Sequence, residues 1–151
     1  AAYAFPNALV DAADLSSEAL SLAEENVAEH GLGERIHLVQ GDLFAAVKGR
    51  TYDLILTNPP YVGREVMEHL PMEFRHEPAM ALDGGVDGFD IVRRILAEAA
   101  AHLNPGAGLL CEIGTDREVL EADYPATPFL WLDTEGSEGE VFWLRREEMP
   151  E

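Results

Sequence analysis

One short stretch constrains this chain more than any other: the run Tyr52-Asp53-Leu54-Ile55-Leu56-Thr57 leads directly into Asn58-Pro59-Pro60-Tyr61. The first run is typical of a strand, and the two prolines lack the N–H donors that strand pairing needs and fix φ at about −65°. The chain must therefore turn at the carboxyl end of that strand. Two interpretations are open: a plain connecting turn, or a ligand-binding turn, because ligands of open α/β sheets bind at that edge.

Short apolar runs alternate with helical patterns along the chain, and this alternation predicts an α/β fold. Strands are predicted at residues 8–13, 35–39, 52–57, 109–113, 129–132 and 141–144. One helix is predicted from Ser16 or Ser17 to about His30, stopped by Gly31, and another over residues 91–103, stopped by Asn104-Pro105-Gly106. We expect a Rossmann-like sheet, mostly parallel, with an antiparallel edge strand at the end of the chain.

Length and composition indicate a globular protein of one domain. The chain has 151 residues, of which 47% are hydrophobic and 26% charged. No apolar run is long enough to span a bilayer and no secretory leader opens the sequence, so we expect a cytoplasmic protein. The single cysteine, Cys111, lies in an apolar run and is predicted to be a buried core thiol.

The charge balance is strongly acidic. Ten lysines and arginines stand against 29 aspartates and glutamates, for a net charge of −19. Such a surface repels phosphate backbones and attracts basic partners. We therefore expect no direct contact with nucleic acid and favour a basic protein partner, although a solubility or halophilic adaptation gives the same composition.

Two acidic residues follow predicted strands. Asp14 comes directly after the first strand and could accept the hydroxyls of a ribose. Asp42, in Gly41-Asp42-Leu43, follows the second strand and could accept an exocyclic adenine amine while Leu43 or Phe44 covers the ring. Taken alone, each is better explained as a turn or helix-cap residue.

Taken together, Asp14, Gly41-Asp42-Leu43 and Asn58-Pro59-Pro60-Tyr61 resemble the class I S-adenosylmethionine-dependent methyltransferases of the amino-group type. They are most similar to the protein-(glutamine-N5) methyltransferases. The resemblance implies S-adenosylmethionine as cofactor and no metal. It implies cofactor contacts from five residues: Asp14, Leu15, Asp42, Leu43 and Asn58. It implies that the Asn58 side chain and the Pro59 carbonyl accept the two amide hydrogens, Pro60 stiffens the turn, and Tyr61 packs on the substrate.

The long polar segment over residues 62–88 narrows the resemblance. Its sequence Leu70-Pro71-Met72-Glu73-Phe74-Arg75-His76-Glu77-Pro78, followed by residues 81–88, is similar to the branch acting on large-subunit ribosomal protein three. That branch implies a basic ribosomal protein as partner and adds Arg75 and Glu77 as substrate-binding residues. A structural ion pair that fixes the segment explains these two residues at least as well. The roles of His76 and Glu112 are left open, and Asp87 is predicted to cap the next helix.

Three alternatives to this function are open: glutamine methylation of release factors, adenine N6-methylation of nucleic acid, and a non-catalytic acidic binding module. The oligomeric state is also open, with a homodimer among the options. The family's first strand, its Gly-rich turn and its helical N-terminal domain are not found in residues 1–151. We therefore expect a partial methyltransferase catalytic domain that binds the cofactor poorly.

Overall fold

The computed structural model of the chain describes residues 1–63, 67, 79–134 and 137–150. The chain divides into two units, Ala1–Arg50 and Thr51–Glu151. Within the described residues, no helix is both long enough and apolar enough to cross a membrane.

The first unit is a strand, a helix and a second strand. The elements are β1 (Val10–Asp14), α1 (Ser17–Glu29), β2 (Ile36–Gln40) and a 3-10 helix (Leu43–Val47). β1 and β2 pair in parallel, with Asp14 opposite Gln40 at their carboxyl ends. The Ser16 hydroxyl caps α1 by accepting the Ala19 N–H at 3.2 Å, and Gly31 follows the helix with a positive φ of 64°. The predicted helix is confirmed because both of its end signals are local.

The second unit contains the larger sheet. Its elements are β3 (Tyr52–Thr57), α2 (Ala79–Leu82), α3 (Asp90–Ala99), β4 (Leu103–Glu112), α4 (Arg117–Asp123), β5 (Leu130–Thr134) and β6 (Ser137–Arg145), with 3-10 turns at Ala100–His102 and Arg146–Glu148. The strand order is β3-β4-β6-β5. β3 and β4 are parallel, whereas β6 runs antiparallel to both β4 and β5. β5 is thus one of the two edge strands of this sheet, and it pairs antiparallel as predicted.

The core of the second unit is built from one face of α3 and alternate residues of β4 and β6. The fully or almost fully buried members are Val92, Ile95, Leu96, Ala99, Leu109, Cys111, Phe142 and Leu144. Burying a Leu, Ile or Phe side chain stabilises the fold by about 1.5–3 kcal/mol. A dense apolar layer therefore holds β4 in place, and β4 in turn holds its parallel partner β3. The Asn-Pro-Pro-Tyr sequence follows directly after β3.

Two predictions in this unit are wrong. The second helix ends at Ala99, and β4 already begins at Leu103, which is 1% exposed and pairs with Tyr52. Residues 104–106 belong to this strand, since a positive φ at Gly106 accommodates an irregular register there. Helix α4 was not predicted, because its seven residues bury only Leu120 and leave little periodic signal.

Candidate active site

The Asn-Pro-Pro-Tyr turn (residues 58–61) leaves the sheet at the carboxyl end of β3, as the sequence predicts. β3 ends at Thr57, which pairs with the fully buried Cys111 of β4. Asn58 is exposed and Pro59 is buried. The buried proline holds the turn to the protein while the amide side chain of Asn58 faces solvent, so the turn can present hydrogen-bond acceptors to a ligand.

Tyr61 closes the turn and packs on a glycine. Tyr61 is 40% exposed. A Cβ atom on Gly114, in the loop after β4, would lie 2.9 Å from Tyr61 Cδ2. The ring therefore packs closely against the Gly114 backbone, where a larger residue would collide with it.

An open cavity of about 400 Å³ lies beside the turn within the second unit. It is lined by Leu56, Thr57, Asn58, Leu110, Glu112, Thr134 and Val141. The half-buried Glu112 and the exposed Asn58 thus line the same cavity, which places a carboxylate and an amide at the carboxyl ends of two parallel strands.

The chain after the turn is held by Leu82, the last residue of α2, and by the glycine-rich segment that follows it, residues 83–88, called the glycine loop below. The Val62 N–H donates to the Leu82 carbonyl at 2.9 Å, and the Gly84 N–H donates to the Val62 carbonyl at 2.9 Å. Val62 and Asp83 form an isolated parallel bridge. The sequence segment that supports the resemblance is therefore in direct backbone contact with the turn.

Asp87 does not cap the following helix, so that prediction is wrong. α3 begins at Asp90, and the Asp87 Oδ1 atom instead accepts the Phe89 N–H at 3.1 Å in a local turn. Its carboxylate pairs with Arg93, with Nη2 to Oδ2 at 2.6 Å. Hydrogen bonding from Arg93 lowers the pKa of Asp87 to about 2.

In the first unit, Asp14 and Asp42 lie at the carboxyl ends of the two parallel strands, and both are exposed. The Gly41 N–H donates to the Asp14 carbonyl at 3.0 Å, which joins the two strand ends. Asp14 Oδ1 also accepts the Ser16 N–H at 2.7 Å, so this carboxylate has a turn role as well. The Asp42 side chain makes no capping hydrogen bond to the 3-10 helix that follows.

The turn that carries Asp42 and Leu43 is locally constrained. A Cβ atom on Gly41 would lie 2.8 Å from the Ala46 Cβ, so glycine is needed there. Leu43 has a φ of 45°, a left-handed conformation that is costly for a leucine. Such strain is often found where a protein holds a ligand, and the sequence contained no signal for it.

The remaining predictions concern the long polar segment, the single cysteine and metal binding. Arg75, His76 and Glu77 lie outside the described residues. Burial raises the pKa of the Cys111 thiol, which agrees with the predicted core role. Among the residues that the structure describes, no group of three or more metal-binding side chains is present.

A family model, the methyltransferase small domain, matches residues 1–85. The chain belongs to this methyltransferase family. The match covers β1, α1, β2, β3 and the Asn-Pro-Pro-Tyr turn, the elements on which the sequence interpretation depends.

Curated relatives give a finer likeness. A ribosomal protein uL3 glutamine methyltransferase of Bradyrhizobium diazoefficiens is 60% identical over 144 residues, covering 95% of this chain and 45% of that protein. One of Neisseria meningitidis serogroup A is 53% identical over 148 residues, covering 98% of this chain and 48% of that protein. The chain spans about half the length of these relatives.

Solved structures show the same fold. A methyltransferase from Pyrococcus furiosus has a TM-score of 0.67 at 19% identity, over 96% of this chain and 66% of that chain. The protein SMU.776, solved in complex with SAH, has a TM-score of 0.56 at 14% identity, over 91% of this chain and 39% of that chain. The fold predicted from the sequence, a Rossmann-like class I methyltransferase fold, is confirmed.

Proposed function

We propose that this chain is the catalytic part of an S-adenosylmethionine-dependent enzyme that methylates the side-chain nitrogen of a glutamine in ribosomal protein uL3. The observation that carries the proposal is 60% identity, over 95% of the chain, to a relative of that name. The Asn-Pro-Pro-Tyr turn at the carboxyl end of β3 supplies chemistry that fits the reaction. A ribosomal protein substrate also agrees with a cytoplasmic location.

The difficulty of this reaction is that an amide nitrogen is a poor nucleophile, since its lone pair is delocalised into the carbonyl. In our proposal the Asn58 side-chain oxygen and the Pro59 carbonyl accept the two N–H groups of the substrate amide. These acceptors orient the nitrogen and stabilise the positive charge that develops on it. The buried position of Pro59 supports this role, because its carbonyl is held in place before the substrate binds.

Pro60 and Tyr61 restrict the substrate further. Pro60 fixes the backbone between the acceptors and the ring. The Tyr61 ring, backed by Gly114, offers an apolar face against which the planar amide can stack. After methylation the nitrogen releases one proton to solvent, so the step needs no strongly basic side chain.

The chemistry of the first unit suits the adenosyl part of the cofactor. Asp14 and Asp42 are acceptors at the carboxyl ends of parallel strands, suited to ribose hydroxyls and to an adenine amine. Leu15 and Leu43 offer apolar contact, and Leu15 is 51% exposed. When bound, S-adenosylmethionine supplies an electrophilic methyl group. The SAH held by the neighbour SMU.776 supports the same cofactor for this chain.

The charge supports a protein substrate over a nucleic acid. A net charge of −19 attracts basic proteins and repels phosphate backbones. Ribosomal proteins contact RNA, so their surfaces are basic.

The test is transfer of labelled methyl from S-adenosylmethionine by the full-length protein. Purified uL3 should be labelled on a glutamine, as mapped by mass spectrometry, whereas release factor and nucleic acid should not. Label on release factor or on nucleic acid instead would overturn the proposal, and so would binding of uL3 with no transfer.

A pair of asparagine variants tests the role of the turn. Asn58→Ala should lower kcat by roughly 100-fold, the usual cost of one lost polar contact to a transition state, with little change in the Kd for S-adenosylmethionine. Asn104→Ala is the matched control, because Asn104 donates to Asp53 at 2.8 Å at the start of β4. Equal kcat values for the two variants would contradict the role of Asn58.

A further inference from the structure

The chain that leaves the Asn-Pro-Pro-Tyr turn is held by backbone contacts from the glycine loop. Besides the two hydrogen bonds of Val62, the loop packs against Tyr61 itself. A Cβ on Gly84 would lie 2.8 Å from the Tyr61 Cα, and a Cβ on Gly88 would collide with the Tyr61 carbonyl oxygen. Any displacement of the loop is therefore transmitted directly to the backbone of Tyr61.

The conformation of the loop depends in turn on α3. The Asp90 N–H donates to the Gly84 carbonyl at 3.0 Å, and Asp90 Oδ2 accepts the Val86 N–H at 3.2 Å. Gly85 has a φ of 95°, and a Cβ there would collide with the Asp90 carboxylate. The first residue of the helix thus fixes the middle of the loop.

Arg93, one turn further along α3, fixes the end of the loop. Its Nη1 and Nη2 atoms lie 2.9 and 2.6 Å from the two Asp87 carboxylate oxygens, a fork-to-fork pair. Its Nε atom donates to Asp123 of α4 at 2.8 Å, and its Nη1 atom lies 3.4 Å from Asp90 Oδ1. Three carboxylates, from the loop, α3 and α4, therefore meet on one guanidinium. Lysine cannot reproduce this planar arrangement.

The support beneath Arg93 is rigid. α3 buries Val92, Ile95 and Leu96, which are 0%, 2% and 0% exposed. A planar donor on a buried helix therefore holds Asp87, and the loop that contains Asp87 holds Tyr61. Arg93 and Asp87 can hold Tyr61 in this way without contacting a ligand themselves.

From these contacts we propose that Arg93 is a positioning residue for methyl transfer: paired with Asp87, it holds the glycine loop against Tyr61 and thereby sets the position of the Asn-Pro-Pro-Tyr turn. This inference rests on the proposed function for its effect on rate. The attachment of the loop to the turn can be measured without any activity.

The kinetic test uses the full-length protein with uL3 and S-adenosylmethionine. Arg93→Lys and Asp87→Asn should each lower kcat roughly tenfold or more, because small displacements of a reacting group are costly, and should leave the Kd for S-adenosylmethionine within twofold of the parent. The double variant should be no slower than the slower single variant, because Asp87 acts on the rate through its contact with Arg93, which Arg93→Lys already disrupts. Multiplying effects in the double variant, or an unchanged kcat in both single variants, would overturn the proposal.

The matched control is Arg145→Lys. Arg145 pairs with Glu148 at 2.6 Å and lies opposite Gly108, at the end of the β4–β6 pairing that is farther from the turn. This variant loses an arginine ion pair of the same length but should retain the parent kcat. A loss of kcat in Arg145→Lys equal to that in Arg93→Lys would show a general stability effect and overturn the assignment.

Hydrogen exchange separates this inference from the proposed function. The Val62 and Gly84 amides, which carry the attachment, should exchange roughly tenfold faster in Arg93→Lys than in the parent or in Arg145→Lys. If the parent methylates no glutamine but these amides respond, the proposed function fails and the positioning contact stands. If the parent is active and these amides do not respond, the positioning inference fails alone.

Discussion

Substituting Gly88 with alanine tests whether backbone contact between the glycine loop and Tyr61 matters for turnover. Gly88 has a φ of 90°, so alanine there incurs left-handed strain of about 1 kcal/mol. Its new Cβ would also collide with the Tyr61 carbonyl oxygen. Tyr61 is the last residue of the Asn-Pro-Pro-Tyr turn. Relief of this collision therefore requires the turn or the glycine loop to move.

Gly106 is the matched control for the strain. Its φ is 78°, and a Cβ atom there would meet nothing within 4 Å. Gly106→Ala therefore carries similar strain with no collision. Gly106→Ala should lose about 1 kcal/mol of stability, which lowers the melting temperature by roughly 2–4 °C in a protein of this size. Gly88→Ala should lose more, because its Cβ atom also collides with backbone.

The two variants should differ in kcat. A displacement of roughly 1 Å in a positioning group costs on the order of 100-fold in rate, which corresponds to about 2.7 kcal/mol of activation free energy. We expect that loss in Gly88→Ala and the parent rate in Gly106→Ala, measured as methyl transfer to uL3 by the full-length protein at saturating S-adenosylmethionine. The same kcat in both variants would refute the reasoning.

Three further predictions concern stability and reactivity. Hydrogen bonding from Arg93 lowers the pKa of Asp87 from 3.8 to about 2, so ionised Asp87 stabilises the fold above about pH 4 and this contribution is lost as the pH falls through about 2. Asp87→Asn should therefore lose less stability than the parent between these pH values, as measured by urea midpoints. Burial raises the pKa of the Cys111 thiol, so this single cysteine of the chain should react with a thiol reagent only as fast as the protein unfolds; rapid reaction in the native state would contradict the core assignment. Leu96→Ala should cost about 2–5 kcal/mol because Leu96 is fully buried, whereas Leu130→Ala, at a residue 55% exposed, should cost less than about 0.5 kcal/mol.

Elements with local end signals were the ones that could be predicted. α1 has a serine cap and a glycine stop, and β3 ends at two prolines, so both sets of bounds follow from neighbouring residues. The early start of β4 at Leu103 could not be predicted in this way. Its pairing with Tyr52 is a contact between residues far apart in the chain, and it overrides the local preference of Asn104-Pro105-Gly106 for a helix stop.

The candidate site likewise combines residues that the local sequence indicates with a residue that only tertiary contacts reveal. Asn58 and Asp14 were found from their places after strands, and the structure puts both at strand ends. Arg93 was not found, because its partners Asp87 and Asp123 lie six and thirty residues away and meet only when α3 and α4 are in place.

The sequence by itself determined the chemistry of this protein: a rigid amide-and-carbonyl turn, two strand-end carboxylates and an acidic surface, since these are properties of residue type and local order. The tertiary structure alone decided that β6 lies between β4 and β5, that the glycine loop rests on Tyr61, and that Asp87 pairs with Arg93 instead of capping a helix. The physical reason is that such contacts join distant residues, and their free energy exists only after the core beneath them has packed.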